Sequence, residues 1–104
     1  MEAKNTITKK QLFEMLGAFK SVRNCPSRNG ESQAPNQFEL FFENGRVFQS
    51  YSSLVAARVN GRWYFTENHD YSVTTSGHCG RWCGYNTKER RKGLKDGQFT
   101  FITD

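Results

Sequence analysis

The sequence has little that would place the protein in a membrane or outside the cell. No apolar run approaches the roughly 20 residues of a membrane-spanning helix, so we predict no transmembrane segment and no membrane partner. Residues 1–10 lack the apolar middle of a signal peptide. Three cysteines, Cys25, Cys79 and Cys83, are an odd number at spacings unlike a disulfide framework. These absences predict a protein of the reducing cytoplasm.

Motifs that would identify an enzyme are also missing. There is no nucleophile elbow, phosphate-cradling glycine loop or spaced carboxylate pair, and the glycines at 77, 80 and 84 follow no strand in a βαβ unit. A nucleophile, a base and an orienting carboxylate could come from Cys25, Cys79, His69, His78, Asp70 and Glu67, but residues of these types are common in proteins without such a site. The sequence therefore predicts a protein that is not an enzyme and takes no cofactor.

The histidines and cysteines between residues 69 and 83 are candidate ligands of a metal ion. His69, His78, Cys79 and Cys83 offer two nitrogen and two sulfur donors, a set that zinc accepts. Adjacent helical residues point about 100° apart, so His78 and Cys79 cannot share a face, whereas Cys79 and Cys83 can. We expect no metal, two cysteines that behave as small buried apolar side chains, and a His78 that is hydrogen-bonded to the sheet or loop it faces. A His78 that faces a partner stays open.

Phenylalanine is abundant, and the first part of the chain shows helical periodicity. Nine Phe in 104 residues predict one domain, residues 1–104, with an aromatic core. Thr6 or Thr8 can cap a helix in which Leu12 and Leu16 share a face with neighbouring phenylalanines, ending near Val22. The polar, proline-containing stretch from 24 to 36 is predicted to be a loop.

Two Asn-Gly pairs, Asn44-Gly45 and Asn60-Gly61, predict tight hairpin turns because both residue types tolerate positive φ. The fold class is therefore α+β, with an antiparallel sheet of about five strands, the N-terminal helix on one face, and a short helix after the Thr-Thr-Ser segment. We expect Thr74 to Ser76 to cap that short helix. A charged turn or helix is predicted from Asn86 or Thr87 through Lys95. The predicted strands are Phe38–Phe42, Arg46–Tyr51, Leu54–Val59, Arg62–Thr66 and Gln98–Ile102.

The positive charge is concentrated between residues 81 and 95. This segment carries six Lys or Arg against Glu89 alone, whereas the whole chain has a net charge of +5. Such a cluster attracts phosphate or an acidic protein face, and aromatic rings beside it can stack on bases. A solvated helix face and buried aromatic rings are the structural alternatives. The residues predicted to bind a partner or nucleic acid are His78, Arg81, Trp82, Tyr85, Lys88, Arg90, Arg91, Lys92 and Lys95.

Two polar segments carry a family resemblance. Ser50-Tyr51-Ser52-Ser53-Leu54-Val55-Ala56 and Tyr71-Ser72-Val73-Thr74-Thr75-Ser76-Gly77-His78 resemble a strand and a helix start of small uncharacterised phage and mobile-element proteins. The resemblance covers roughly residues 38 to 84. It implies a small accessory protein in the host cytoplasm.

The sequence and this resemblance together predict a non-enzymatic binding protein that acts on a host protein or nucleoprotein machine. An inhibitor of a nucleic-acid-guided defence system, similar to an anti-CRISPR protein, would be one such protein. The alternative is a DNA- or RNA-binding accessory protein, which the neighbouring basic and aromatic residues favour. No oligomeric state follows from the sequence.

Overall fold

The fold is α+β, as predicted, with helices on both faces of one mixed sheet. The computed structural model describes residues 3–27, 30 and 32–104. In chain order the elements are β1 (Thr6–Thr8), α1 (Lys9–Leu16), β2 (Phe19–Pro26), β3 (Gln33–Phe42), β4 (Gly45–Ser50), β5 (Ser53–Val59), β6 (Arg62–Phe65), a 3-10 helix (Glu67–Asp70), α2 (Val73–Cys83), α3 (Thr87–Asp96) and β7 (Thr100–Thr103).

The sheet has seven strands in the order β1-β7-β6-β5-β4-β3-β2. The strands from β2 to β6 pair antiparallel, but β7 runs parallel to both β6 and β1. The expectation of about five antiparallel strands was therefore wrong. The helical connection between β6 and β7 lets β7 return in the direction of β6, which a tight hairpin cannot do.

Both hairpins form, but their turns differ in physical detail. Asn60 and Gly61 have φ values of 51° and 80°, as an Asn-Gly hairpin turn requires. The first turn instead lies at residues 43–44, and Gly45 already belongs to β4. A Cβ at Gly45 would collide with the carbonyl oxygen of Arg58 on the neighbouring strand. Gly45 is therefore needed for close backbone approach and not for positive φ.

The first helix is shorter than its periodicity predicts. Thr8 caps it in a capping box with Gln11, which confirms one of the two expected caps. Gly17, at φ 77°, ends it after Leu16, and Val22 lies on β2. Part of the expected loop from 24 to 36 is therefore strand, and Arg28, Asn29 and Glu31 of that segment lie outside the described residues.

The sheet separates two apolar clusters. On one face α1 contributes Leu12 and Leu16, which pack with Val47, Tyr64 and Ile102, so the N-terminal helix covers one face as predicted. On the other face α2 and α3 cover a cluster that includes Phe48, Phe65, Cys79, Leu94 and Phe99. Within the described ranges, no helix is long and apolar enough to cross a membrane.

The start of α2 is capped by a residue other than those predicted. Ser72 Oγ accepts a hydrogen bond from the backbone N–H of Thr75 at 3.1 Å, and Ser72 has extended backbone angles. Thr74 to Ser76 lie inside the first turn and a half. The expectation that one of those three residues caps the helix was wrong by two positions, because a serine two residues earlier already occupies the N-cap.

Ser72→Ala should lower the free energy of unfolding by about 1 kcal/mol, because one N–H of the first turn loses its acceptor. Thr74→Ala, at an exposed position of the same turn, is the matched control and should change it by less than about 0.5 kcal/mol. Urea unfolding followed by circular dichroism measures both. Equal losses in the two variants would contradict the assignment of the cap.

Candidate functional site

A cavity of about 320 Å³ lies between α2 and strands β2, β3 and β4. We call it the arginine groove, because three arginines from three separate elements surround it. A second cavity of about 490 Å³ adjoins it and shares Ser27, His78 and Arg81 with it. The residues that line the arginine groove are Arg23, Cys25, Pro26, Ser27, Glu39, Arg46, His78, Arg81 and Trp82.

The carboxylate of Glu39 organises this groove. Glu39 is 2% exposed, and a buried carboxylate is costly unless it is paired and hydrogen-bonded. Its Oε1 accepts from Nε and Nη2 of Arg23 at 2.9 and 2.8 Å. Its Oε2 accepts from Arg46 Nη1 at 3.1 Å and from Trp82 Nε1 at 2.8 Å. One residue thus orients two arginines of the sheet and attaches α2 to it.

Strand register explains why these side chains meet. Arg23, Glu39 and Phe48 lie opposite one another on β2, β3 and β4, so their side chains share the face that α2 covers. The Trp82 ring stacks on Phe48 with centroids 5.8 Å apart, and the Arg46 guanidinium lies 5.5 Å from the Trp82 ring. Trp82 is therefore fixed on three sides, by stacking, a cation–π contact and a hydrogen bond.

His78 and Arg81 form a pair on the exposed side of α2. Arg81 Nη2 donates to His78 Nδ1 at 2.9 Å, and since arginine has no acceptor, the imidazole proton must sit on Nε2. Burial and the Arg81 charge lower the pKa of His78 below its usual value. The imidazole is therefore neutral at pH 7, and the positive charge of the pair stays on Arg81. The sequence predicted a hydrogen bond from His78 to the sheet or loop that it faces, but among the described residues its partner is Arg81, one turn further along the same helix.

Cys25 lines the same groove but is a poor nucleophile. Burial and the Glu39 carboxylate raise the pKa of its thiol to about 11, against the opposing effect of Arg23. The thiolate, which is the reactive form, is scarce at neutral pH. The nearby His78 Nδ1 already accepts from Arg81. The groove is thus better suited to hold an anion than to attack a bond.

The structure brings together three of the predicted binding residues. His78, Arg81 and Trp82 all line the arginine groove. Tyr85 is partly buried and packs edge-on against Trp63 and at 4.9 Å from Phe99, so it belongs to the edge of the core. This position matches the structural alternative of a buried aromatic ring for Tyr85.

Four further predicted residues lie on α3, outside the groove. Arg91 donates twice to Asp70 Oδ2, at 2.9 and 2.7 Å. The other three are lysines exposed to solvent on the same helix. Their role in binding stays a prediction. The four predicted residues are Lys88, Arg91, Lys92 and Lys95; Glu89 and Asp96 of the same helix are exposed as well.

The prediction that Arg90 binds a partner or nucleic acid is wrong, because its side chain is fully buried and cannot contact one. Its Nε donates to His69 Nδ1 at 3.0 Å, and its Nη2 donates to the His69 carbonyl at 3.0 Å and to Ser76 Oγ at 2.8 Å. Its Nη1 donates to the carbonyl of Tyr85. Helical spacing places Arg90 on the inner face of α3, beside the buried Leu94. Arg90 therefore joins α3 to α2 and to the 3-10 helix.

The partner of Arg90 is an unusual histidine. His69 is fully buried, and because its Nδ1 accepts from Arg90, its proton lies on Nε2. Nε2 has no hydrogen-bond partner among the described atoms, with Asp70 Oδ2 4.0 Å away. Burial lowers the pKa of His69 to about 4, Asp70 opposes this, and Arg90 and Arg91 add to it. His69 is therefore neutral in the folded protein at pH 7.

Cys79 and Cys83 are buried and free, as the sequence predicted, at 0% and 7% exposure. A hydrogen bond between the two thiols lowers the pKa of Cys83 to about 7 and raises that of Cys79. Across residues 3–27, 30 and 32–104, no group of three or more His, Cys, Asp or Glu side chains converges as a metal site would require.

Sequence reasoning missed the residues that the sheet contributes to the groove, Arg23, Glu39 and Arg46. A signal for two of them was present. The predicted hairpin places Glu39 on the same face as Arg46 and diagonal to it, and a lone carboxylate in an apolar strand needs such a partner. Arg23 could not be found in this way, because its strand was interpreted as helix and loop.

Comparison with known proteins yields one match. Residues 3–98 match a family of unknown function, DUF8033. No curated protein and no solved structure matches the chain.

Arg90→Met should lower the free energy of unfolding by about 3 kcal/mol or more, because it leaves several buried acceptors on His69, Ser76 and Tyr85 without a donor. Lys92→Met, at an exposed position of the same helix, is the matched control and should change stability little. Chemical denaturation measures both. A small loss for Arg90→Met would contradict the structural role assigned to this residue.

Stability should fall as the pH drops from about 6.5 to about 4, because the unfolded chain protonates His69 in this window and the folded protein does not. The contribution of the neutral, buried His69 to the free energy of unfolding is fully present above pH 6.5 and amounts to about 3 kcal/mol. His69→Gln should remove this contribution, so the difference in unfolding free energy between the two proteins should shrink towards pH 4. A difference that does not vary with pH would contradict the lowered pKa.

Proposed function

We propose that this chain, which belongs to the DUF8033 family, is a non-enzymatic binding protein whose arginine groove holds phosphate groups of nucleic acid. The observation that carries the proposal is a cavity in which Arg23, Arg46 and Arg81 converge and in which Glu39 is the only carboxylate among the lining residues that the structure describes.

The charge balance of the groove favours an anion. Among the described lining residues, three guanidinium groups face one carboxylate, so two positive charges remain for a ligand to neutralise. Arg23 uses two of its five N–H donors on Glu39, and Arg46 uses one, which leaves further donors on each. Guanidinium groups whose planes are held in place suit phosphate, since they can bind its oxygens in pairs.

The wider surface supports the same ligand. The exposed cations on α3 lie outside the groove and add positive potential around the molecule, which steers a polyanion towards it. Arg58 adds a further cation on the groove face of the sheet, with its guanidinium 4.9 Å from the Trp63 ring. Nucleic acid was the alternative function expected from the sequence, and the groove supports it with the predicted Arg81 and with Arg23 and Arg46, which the prediction did not include.

A protein partner is the second candidate, and one observation favours it. Phe13, Phe19 and Val22 are 43%, 55% and 55% exposed, and Phe19 and Val22 lie on β2, an edge strand of the sheet. Exposed apolar side chains beside an unpaired strand edge suit a protein surface. In this function the chain would act on a host protein or nucleoprotein machine, such as a nucleic-acid-guided defence complex, as its resemblance to phage proteins implies.

Arg81→Gln should weaken binding to a mixed-sequence oligonucleotide by roughly tenfold and reduce the slope of log affinity against log salt by about one. Arg81 suits this test because it is exposed and, among the described residues, its side chain bonds to His78 alone. Lys92→Gln on α3 is the control with the same charge change. Fluorescence anisotropy at several salt concentrations measures affinity and slope.

The contradicting results of this experiment are distinct. A loss in Lys92→Gln without one in Arg81→Gln would place binding on α3, and an affinity that does not change with salt would exclude phosphate as the ligand. Capture of a host protein from nuclease-treated lysate, lost in Val22→Asp but kept in Arg81→Gln, would favour the protein partner.

A further inference from the structure

A separate cleft of about 480 Å³ lies at the first turn of α2, beside the turn between β4 and β5. We call it the tyrosine cleft. Its lining includes residues from the two polar segments that stand out in the sequence, one at residues 50–56 and the other at residues 71–78. Three of their hydroxyl groups have partners: Ser72 caps α2 and donates to Thr75 Oγ1, and Ser76 Oγ accepts from Arg90. The residues that line the cleft are Ser50, Tyr51, Ser53, Val55, Asn68, Tyr71, Ser72 and Thr75.

The cleft contains a buried polar group that lacks a partner. Ser50 is 4% exposed, and its Oγ makes no hydrogen bond to any described atom. Gln37 lies directly opposite Ser50 in the sheet, and its buried Oε1 also has no partner there. Buried polar atoms are nearly always hydrogen-bonded, so an unpaired hydroxyl that lines a cavity points to a ligand that completes it.

Two exposed aromatic rings belong to the same cleft. Tyr51 is 64% exposed and Tyr71 is 81% exposed. Tyr51 has a φ of 56°, which is costly for a bulky residue and persists only where the surroundings enforce it. Its N–H donates to the Asn36 carbonyl at 2.6 Å, and its own carbonyl accepts from Gln49 Nε2 at 2.6 Å. The backbone that carries the Tyr51 ring is thus held in place.

The chemistry of the lining defines the ligand class. None of the eight lining side chains carries a charge, and six of them have a hydroxyl group. Such a cleft favours a neutral group that accepts and donates hydrogen bonds at its edge and offers a flat face to tyrosine. A nucleobase that is not paired or stacked in a duplex has these properties.

We propose that the tyrosine cleft takes one unpaired base of a single-stranded nucleic acid while the phosphates of the same strand reach the arginine groove. This inference rests on the proposed function. From Thr75 in the cleft to Arg81 in the groove, α2 rises about 9 Å, a distance that a few nucleotides of a single strand can span. The second cavity, which shares Arg81 with the groove, is lined by Val73 and Thr74, the neighbours in sequence of Ser72 and Thr75 in the cleft.

The test compares a single-stranded oligonucleotide with an abasic one of the same length, which keeps the phosphates and lacks the bases. We expect the wild-type protein to prefer the first by about tenfold. Tyr71→Ala should lose this preference and keep the salt dependence, whereas Arg81→Gln should keep the preference and lose part of the salt dependence. Phe19→Ala, an exposed aromatic residue on another part of the sheet, is the matched control and should change neither.

Three results would overturn the inference. Equal, salt-dependent binding of both oligonucleotides would show that no base binds in the cleft, while the proposal for the arginine groove would stand. Failure to bind either one would overturn both proposals. In an NMR titration with a neutral nucleoside, which carries no phosphate, signals of Tyr71 and Thr75 should shift; if they shift with a neutral disaccharide instead, the ligand of the cleft is a sugar.

Discussion

The arginine groove depends on the burial of one carboxylate. Glu39 sits in the sheet at 2% exposure, and its two oxygens accept four hydrogen bonds from Arg23, Arg46 and Trp82. A buried charge tolerates little displacement of its partners, because each hydrogen bond that is lost leaves more of the desolvation cost of the charge uncompensated. The positions of two arginines and of the C-terminal part of α2 therefore follow from this single residue.

A second buried ionisable residue fixes the rest of the helical layer. Arg90 joins α3 to Ser76 in α2 and to His69 in the 3-10 helix. Glu39 holds α2 through Trp82, near the end of the helix, while Arg90 holds it through Ser76, near the start. Since α2 lines both the arginine groove and the tyrosine cleft, these two attachments set the distance between them. Rigid elements of this kind are the best support for a binding site.

The sequence predicted what depends on local chemistry. The α+β class, the Asn60-Gly61 turn, the Thr8 cap and the buried Cys79 each follow from propensity or spacing over a few residues, and the structure confirms them. Ser72 was missed as the cap of α2 because three more hydroxyl residues follow it closely, and sequence alone does not show which of them lies at the N-cap.

Features that depend on distant partners were less accessible. Val22 continues the helical pattern of α1, yet Gly17 breaks the helix and the edge of the sheet recruits the segment as β2. Arginine is a residue type usually found at the surface, and the burial of Arg90 is favourable because His69, Ser76 and Tyr85 supply hydrogen-bond acceptors. A charge count along the chain could not separate it from Lys92, because burial is decided by contacts between elements.

The most direct test of the phosphate-binding account is an NMR titration of the arginine side-chain Nε–Hε signals with a short single-stranded oligonucleotide. The account predicts saturable shifts for Arg23, Arg46 and Arg81 that weaken together as salt is added. Arg91 on α3, whose guanidinium is paired with the carboxylate of Asp70, should shift little. Shifts confined to Arg91 and its neighbours on α3, or no shift in the three groove arginines, would contradict it.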